Sequence, residues 1–268
     1  MMNKTVLTIA GSDSSGGAGI QADLKVMTAY GVYGMSVITA VTAQNTLGVH
    51  AVRVVGADTV CAQLNAVLSD IRPDAVKIGM VCTEEIVHSV ARAIDRWELE
   101  NIVVDPVMVS TSGRSLLDTK ACGVLKKELF PRADLVTPNL PETERLCKPR
   151  EEQWDREAVQ KAAMQLTRKW DTAFLIKGGH LEGEAADCFC APDGKMQWYE
   201  GKRIDTVNTH GTGCTYSTAI ACNLAKGMEL SRAIREAKTY LEGAIRCNPG
   251  LGAGHGPLNH CWRMEESI

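Results

Sequence analysis

An α/β fold, with a mostly parallel sheet covered by helices on both faces, is what this sequence predicts. Three observations carry the prediction. Short apolar runs rich in β-branched residues alternate with helical patterns along the chain. No internal repeat or low-complexity linker divides the 268 residues, so one domain is expected. Glycine- and carboxylate-bearing motifs follow directly on the strand candidates, where open α/β sheets bind their ligands.

Taken in order, Thr5–Ala10 is the first strand candidate, followed by a glycine-rich loop and a helix near Ile20–Tyr30. Gly34–Thr42 is the next apolar run, and Val52–Val55 is a short strand. Thr59–Asp70 predicts a helix and Ala75–Ile78 a strand. Glu84–Trp97 is amphipathic, and Asn101–Val104 is a buried strand that stops at Asp105-Pro106. Ser115–Leu129 predicts a helix, Leu135–Thr137 a strand, Asp155–Lys169 a helix and Ala173–Ile176 a strand. Between the helices, Pro149-Arg150-Glu151-Glu152 reads as a surface loop. Strands around Asp187–Ala191 and Lys195–Tyr199 flank the turn signal Pro192-Asp193-Gly194. Gly213–Lys226 and Ser231–Arg246 close the series as helices.

Composition narrows the function classes. Apolar residues make up 45% of the chain and charged residues 23%, a balance that builds a core without a metal or disulfide staple. The net charge is -3 and no basic run points to nucleic acid or a membrane surface. No stretch reaches the roughly 18 apolar residues of a membrane helix. Met1–Ala10 lacks the apolar length and cleavage site of a signal peptide. The 10 cysteines therefore read as reduced thiols of a cytoplasmic protein. Only Cys188 and Cys190 are close together and no CxxC pair occurs, which argues against zinc and for small buried hydrophobes.

Several motifs carry candidate chemistry. Gly11-Ser12-Asp13-Ser14-Ser15-Gly16-Gly17-Ala18-Gly19 opens onto a helix N-terminus, a geometry suited to an anion or polar ligand, although it matches neither dinucleotide nor P-loop spacing. Gln44-Asn45 offers two amides that can read a heteroaromatic edge or simply cap a turn. Asp105-Pro106-Val107-Met108 places a carboxylate at a strand end, suited to magnesium-bound water or to an ordinary turn. Asn139-Leu140-Pro141-Glu142 serves either a magnesium–phosphate cluster or a capped helix start, and the two readings are compatible. Lys177-Gly178-Gly179-His180 lets a nucleotide approach the backbone, or is a tight turn. His210-Gly211-Thr212-Gly213-Cys214-Thr215 is the strongest. Its glycines free backbone N–H groups at the start of an apolar helix, where they and the dipole hold developing negative charge. The same dipole predicts that Cys214 is the most acidic of the thiols.

The last motif resembles the anion hole of the hydroxymethylpyrimidine/phosphomethylpyrimidine kinase branch of the ribokinase-like superfamily. Ala10–Lys25, Thr42–Val49, Val76–Met80, Val104–Gly113, Thr137–Glu142, Lys177–His180 and Gly254–Asn259 follow that family's order over nearly the whole chain. The resemblance implies a three-layer α/β/α sandwich. It implies transfer of the γ-phosphoryl of Mg-ATP to 4-amino-5-hydroxymethyl-2-methylpyrimidine, and then to its monophosphate. By the same resemblance Gly11, Asp23, Gln44, Met80, Val107 and His210 belong to the pyrimidine pocket. Asp105 and Glu142 serve Mg2+, and Asn139, Lys177 and Gly179 lie on the nucleotide side. Gly211, Thr212 and Gly213 form the anion hole, with Cys214 where many relatives carry an aspartate base. A homodimer is implied too. Some members act on pyridoxal or pyridoxine, and the pair Cys214 and His210 leaves that alternative open. A dinucleotide-dependent oxidoreductase and a non-catalytic pyrimidine sensor are the readings from other classes. The loop spacing opposes the first, and intact Asp105, Glu142 and anion-hole residues oppose the second. Asp187–Tyr199 and Val207–His210 are the lid candidates.

Overall fold

The structure is a computed structural model that describes residues 4–108, 119–147, 154–179 and 185–265. His180, the start of the Ser115–Leu129 helix, the far end of the Val104–Gly113 stretch and the Pro149–Glu152 loop lie outside them.

The strands are β1 (Thr5–Asp13), β2 (Tyr33–Asn45), β3 (Gly48–Val54), β4 (Ala75–Ile78), β5 (Ile102–Val104), β6 (Leu135–Val136), β7 (Ala173–Ile176), β8 (Asp187–Cys190) and β9 (Met196–Tyr199). The helices are α1 (Gly19–Ala29), α2 (Ala57–Leu68), α3 (Glu84–Trp97), α4 (Thr119–Glu128), α5 (Leu140–Leu146), α6 (Arg156–Trp170), α7 (Thr212–Ala225), α8 (Leu230–Arg246) and α9 (Trp262–Glu265).

All the strands join one 9-stranded sheet in the order β3-β2-β1-β4-β5-β6-β7-β8-β9. The pairs from β2 through β7 are parallel, while β3, β8 and β9 pair antiparallel at the two edges. The chain leaves β1 toward β2 on one side and returns to β4 on the other. The loops after β1 and β4 therefore diverge and open a crevice at the carboxyl edge.

Strand periodicity sorts the apolar residues into two layers, one on each face of the sheet. Leu7, Ile9, Val76 and Ile78 pack with α2, α3, α4 and α6 residues such as Leu64, Val90, Leu125 and Leu166. Val6 and Ala75 face α1, α7 and α8, with Met27, Ile220 and Tyr240. The three-layer α/β/α architecture follows directly. Among the described residues no helix is long and apolar enough to cross a membrane.

Two expectations change. The Asp187–Tyr199 hairpin is no lid: it is the antiparallel edge of the sheet, and β8 is buried along its length. The strand read as Val52–Val55 runs from Gly48 to Val54, because its first residues, Gly48-Val49-His50-Ala51, carry no apolar run to mark them. The Val207–His210 approach is tied down by a segment from late in the chain. Gly256 O accepts from His210 N at 3.1 Å, Thr46 O accepts from His255 N at 2.9 Å, and Ala244 O accepts from Asn259 N at 3.1 Å. Tyr240 Oη donates to His260 O at 2.5 Å, and Trp262 Nε1 donates to Tyr240 O at 3.1 Å. Residues 254–262 thus strap the start of α7 to α8 and to the β2–β3 turn.

Candidate active site

A cavity of about 640 Å³ opens at the carboxyl edge of the parallel strands. Gly11, Gln44, Met80, Val107 and His210 line one end. Asp105, Asn139, Glu142, Lys177 and Gly179 line it beyond β5, β6 and β7, and Gly211, Thr212, Gly213 and Cys214 lie between the two groups. Residues far apart in the chain converge because they lie in the last residues of a parallel strand, just beyond one, or around the start of α7.

The start of α7 is set by backbone shape. Gly211 is the N-cap of α7 with φ 84°, a left-handed conformation that disfavours side chains. A Cβ there would fall on the carbonyl of Gly17, so the two glycine loops are in backbone contact. Thr212 N donates to Thr209 O at 3.2 Å, while the next amides, of Gly213 and Cys214, belong to the helix start that has no intrahelical acceptor, and both residues line the cavity. A Cβ on Gly213 would stand 3.2 Å from Lys177 Nζ and 3.3 Å from Asp105 Oδ2. The glycine lets the helix start come down onto these two charges.

Lys177 Nζ donates to Asp105 Oδ1 at 2.8 Å. Burial alone would lower the Lys177 pKa, but the charges of Asp105 and Glu142 outweigh it and hold the ammonium protonated. Glu142 closes a capping box with Asn139: Glu142 Oε2 accepts from Asn139 N at 2.8 Å, and Asn139 Oδ1 accepts from Glu142 N at 2.8 Å. Burial pushes the Glu142 carboxyl up to about 7, with Lys177 opposing and Asp105 adding to the shift. Asn139 and Glu142 are therefore a helix cap and cavity-lining groups at once.

At the other end Asp13 organises the first loop. Its Oδ1 accepts from Ser15 N at 2.9 Å and Ser15 Oγ at 2.8 Å. Its Oδ2 accepts from Gly17 N at 3.1 Å, Ala18 N at 2.8 Å and His210 Nε2 at 2.8 Å. Burial works to raise the Asp13 pKa, yet the hydrogen bonds from His210 and Ser15 bring it down to about 2. His210 Nε2 is committed to Asp13, so it has no lone pair for the Gln44 amide nitrogen 3.3 Å away. Gln44 Oε1 accepts from Thr42 Oγ1 at 3.2 Å, which leaves the amide nitrogen as the group to orient on whatever occupies the pocket.

Two expected placements are corrected. Asp23 does not line the cavity. It is fully buried behind it, paired with Lys77 and hydrogen-bonded by Thr8 and Thr218. Cys214 is not an acidic thiol. Burial pushes it up to about 11; Lys77 opposes the shift, while Asp23 and Asp105 reinforce it. The helix dipole is present, but desolvation and two carboxylates outweigh it. Cys214→Ala is therefore expected to keep kcat within about threefold, since a neutral thiol is no base near pH 7 and a loose transition state asks little of one. A loss of a hundredfold or more in single-turnover kinetics would restore the base role.

Sequence reasoning missed Lys77, Asp187 and Lys238, all of which line the cavity. Asp187 accepts from Gly178 N at 2.9 Å and from Lys238 Nζ at 2.6 Å, and so steadies the turn that follows Lys177. A lysine inside the apolar strand Ala75–Ile78 was a signal for Lys77, because a charge in a buried strand requires a partner. Lys238 and Asp187 had no such mark.

The profile of the phosphomethylpyrimidine kinase family matches residues 13–259. The chain is 50% identical over 265 residues to the hydroxymethylpyrimidine/phosphomethylpyrimidine kinase of Rhizobium meliloti, covering 98% of each. It is 48% identical over 264 residues to the thiamine biosynthesis bifunctional protein ThiED of Geobacter sulfurreducens, covering 98% of this chain but only 53% of that longer protein. The ADP complex of Bacillus subtilis pyridoxal kinase superposes with a TM-score of 0.89 at 35% identity, over 98% of this chain and 99% of that one.

Proposed function

Because the chain belongs to the phosphomethylpyrimidine kinase family, we propose that it transfers the γ-phosphoryl of ATP to 4-amino-5-hydroxymethyl-2-methylpyrimidine and then to the monophosphate, making the diphosphate used in thiamine synthesis. The observation that carries this reading is one cavity in which the glycine-opened start of α7 stands against Lys177 and Asp105, with amide-bearing Gln44 lining the same cavity. Phosphoryl transfer is largely positioning and charge stabilisation, and these residues supply both. Gln44, Gly11, Met80 and Val107 hold the pyrimidine. Lys177, Gly179 and Asn139 hold the phosphates. The first-turn amides of α7 receive the charge that develops on the transferred group. The reading assigns all of this to one kinase domain.

Mg2+ belongs on the Asp105 and Glu142 side. Two buried carboxylates face the phosphate end, and the described residues contain no larger group of metal-ligating side chains. That donor set suits an ion that keeps several waters and is held mainly by substrate phosphates. When bound it neutralises phosphate charge.

Pyridoxal is the second substrate to test, given the pyridoxal kinase likeness and the presence of both Cys214 and His210. The same reading includes a homodimer, supported by Tyr33, Val41, Leu47 and Val54 left exposed along β2, β3 and their turn. It includes a cytoplasmic setting, supported by ten free cysteines.

An ADP-release assay with the pyrimidine, with pyridoxal, and with neither, each with and without Mg2+, tests the whole reading. ADP release that ignores both substrates would overturn it. Within that assay, Gln44→Leu is expected to raise KM for the pyrimidine by about 10-fold or more and to leave KM for ATP within twofold, because the polar edge of the ring would be buried without its partner. Equal effects on both would take Gln44 out of the pyrimidine site.

A further inference from the structure

We propose that Lys77 is a positioning residue for phosphoryl transfer: held by Asp23 in the cavity wall, its ammonium supplies fixed positive charge beneath Cys214, where the substrate hydroxyl meets the anion hole. The inference rests on the kinase reading above.

Strand β4 is buried at every position. Its alternation sends Val76 and Ile78 into one apolar layer, and Ala75 and Lys77 toward α1 and α7. Lys77 and Asp23 have fully buried side chains, and Nζ lies 3.0 Å from Asp23 Oδ1 and 2.8 Å from Oδ2. Thr8 Oγ1 donates to Asp23 Oδ2 at 2.5 Å and Thr218 Oγ1 to Oδ1 at 2.7 Å. Asp23 is thus committed within the protein, which is why it cannot serve the ligand. Lys77 is different: Asp23 takes two of its three protons, and the residue lines the cavity beside Asp105 and Cys214. A Cβ on Gly79 would stand 2.9 Å from Lys77 Nζ, so the glycine leaves room for the ammonium at the strand end.

The same carboxylate reaches the anion hole by a second route. Thr218 lies one helical turn beyond Cys214 on the same face of α7. The hydrogen bond from Thr218 therefore fixes the depth at which α7 begins, relative to the lysine beneath it. Stability alone is a poor account of this arrangement. A buried ion pair often gives no more stability than apolar side chains of similar volume. A fixed charge in a water-excluded cavity, by contrast, acts strongly on charge that appears during reaction.

The test removes both charges and keeps the volume. The Lys77→Met/Asp23→Leu variant is expected to melt at or above the wild-type temperature, while kcat with the pyrimidine falls about 10- to 100-fold and KM for ATP stays within twofold. A folded double variant with wild-type kcat would overturn the proposal, leaving the pair a packing device. If the apolar pair does not fold, Lys77→Gln/Asp23→Asn, which keeps hydrogen-bonding groups toward Thr8 and Thr218, is read by the same two outcomes. Wild-type turnover in the parallel assay separates the two claims. No turnover of the pyrimidine or of pyridoxal removes the kinase reading and this role with it, whereas turnover retained in the uncharged variants removes the role of Lys77 alone.

Discussion

Replacement of Gly211 by alanine is expected to lower kcat by about 10²- to 10³-fold, the loss typical when an anion-hole donor is displaced. Two effects act together. The residue has φ 84°, where a side chain costs about 1–2 kcal/mol. The added Cβ would also occupy the Gly17 carbonyl, which is backbone and cannot swing aside. The loops must separate, and the first turn of α7 moves with them. KM for ATP should rise far less than kcat falls, because the amides act on charge that is present only during transfer. Steady-state ADP release checks this, and a Gly211→Ala enzyme within threefold of wild type would exclude the helix start as the anion hole.

Asp13→Ala is expected to cause the largest loss of stability, roughly 3–5 kcal/mol, because it leaves buried amides and a histidine without their acceptor. For a chain of this size that lowers Tm by roughly 10 °C. The pH dependence has a definite sign. The folded-state pKa of about 2 lies below the ordinary 3.8. The stabilisation is therefore present above about pH 4 and is lost as pH falls through about 2, a contribution of about 2 kcal/mol. Thermal melts of wild type and Asp13→Ala should differ widely at pH 7 and converge toward pH 2. A constant difference across that range would show that Asp13 acts by volume rather than by charge.

How much of this was legible in the sequence depended on how local each cause was. Helix α3 was read residue for residue, because its amphipathic period, its Thr83 cap and its last-turn arginine all lie within the segment. Helix α5 was legible only as a capped start, since it spans 7 residues, too few for a period to show. The glycine motifs placed the cavity correctly because strand ends and helix starts are sequence features. The role of Asp13 was not legible, because its histidine lies 197 residues away. The Cys214 thiol was misjudged for the same reason: the dipole is local, but the burial and the carboxylates that outweigh it come from α1 and from the end of β5.

The strap formed by residues 254–262 sets an order on events during synthesis. Strands β1 to β6 can pair as they leave the ribosome, yet the cavity they border lacks its α7 wall until residue 211 emerges, and the turn before it, held by Asp13, gains its bond to Gly256 only later. A nascent chain stopped before that point would hold a formed sheet with an open, hydrated cleft. The cleft is therefore completed only once residues 254–262 have emerged, well after the sheet that it borders.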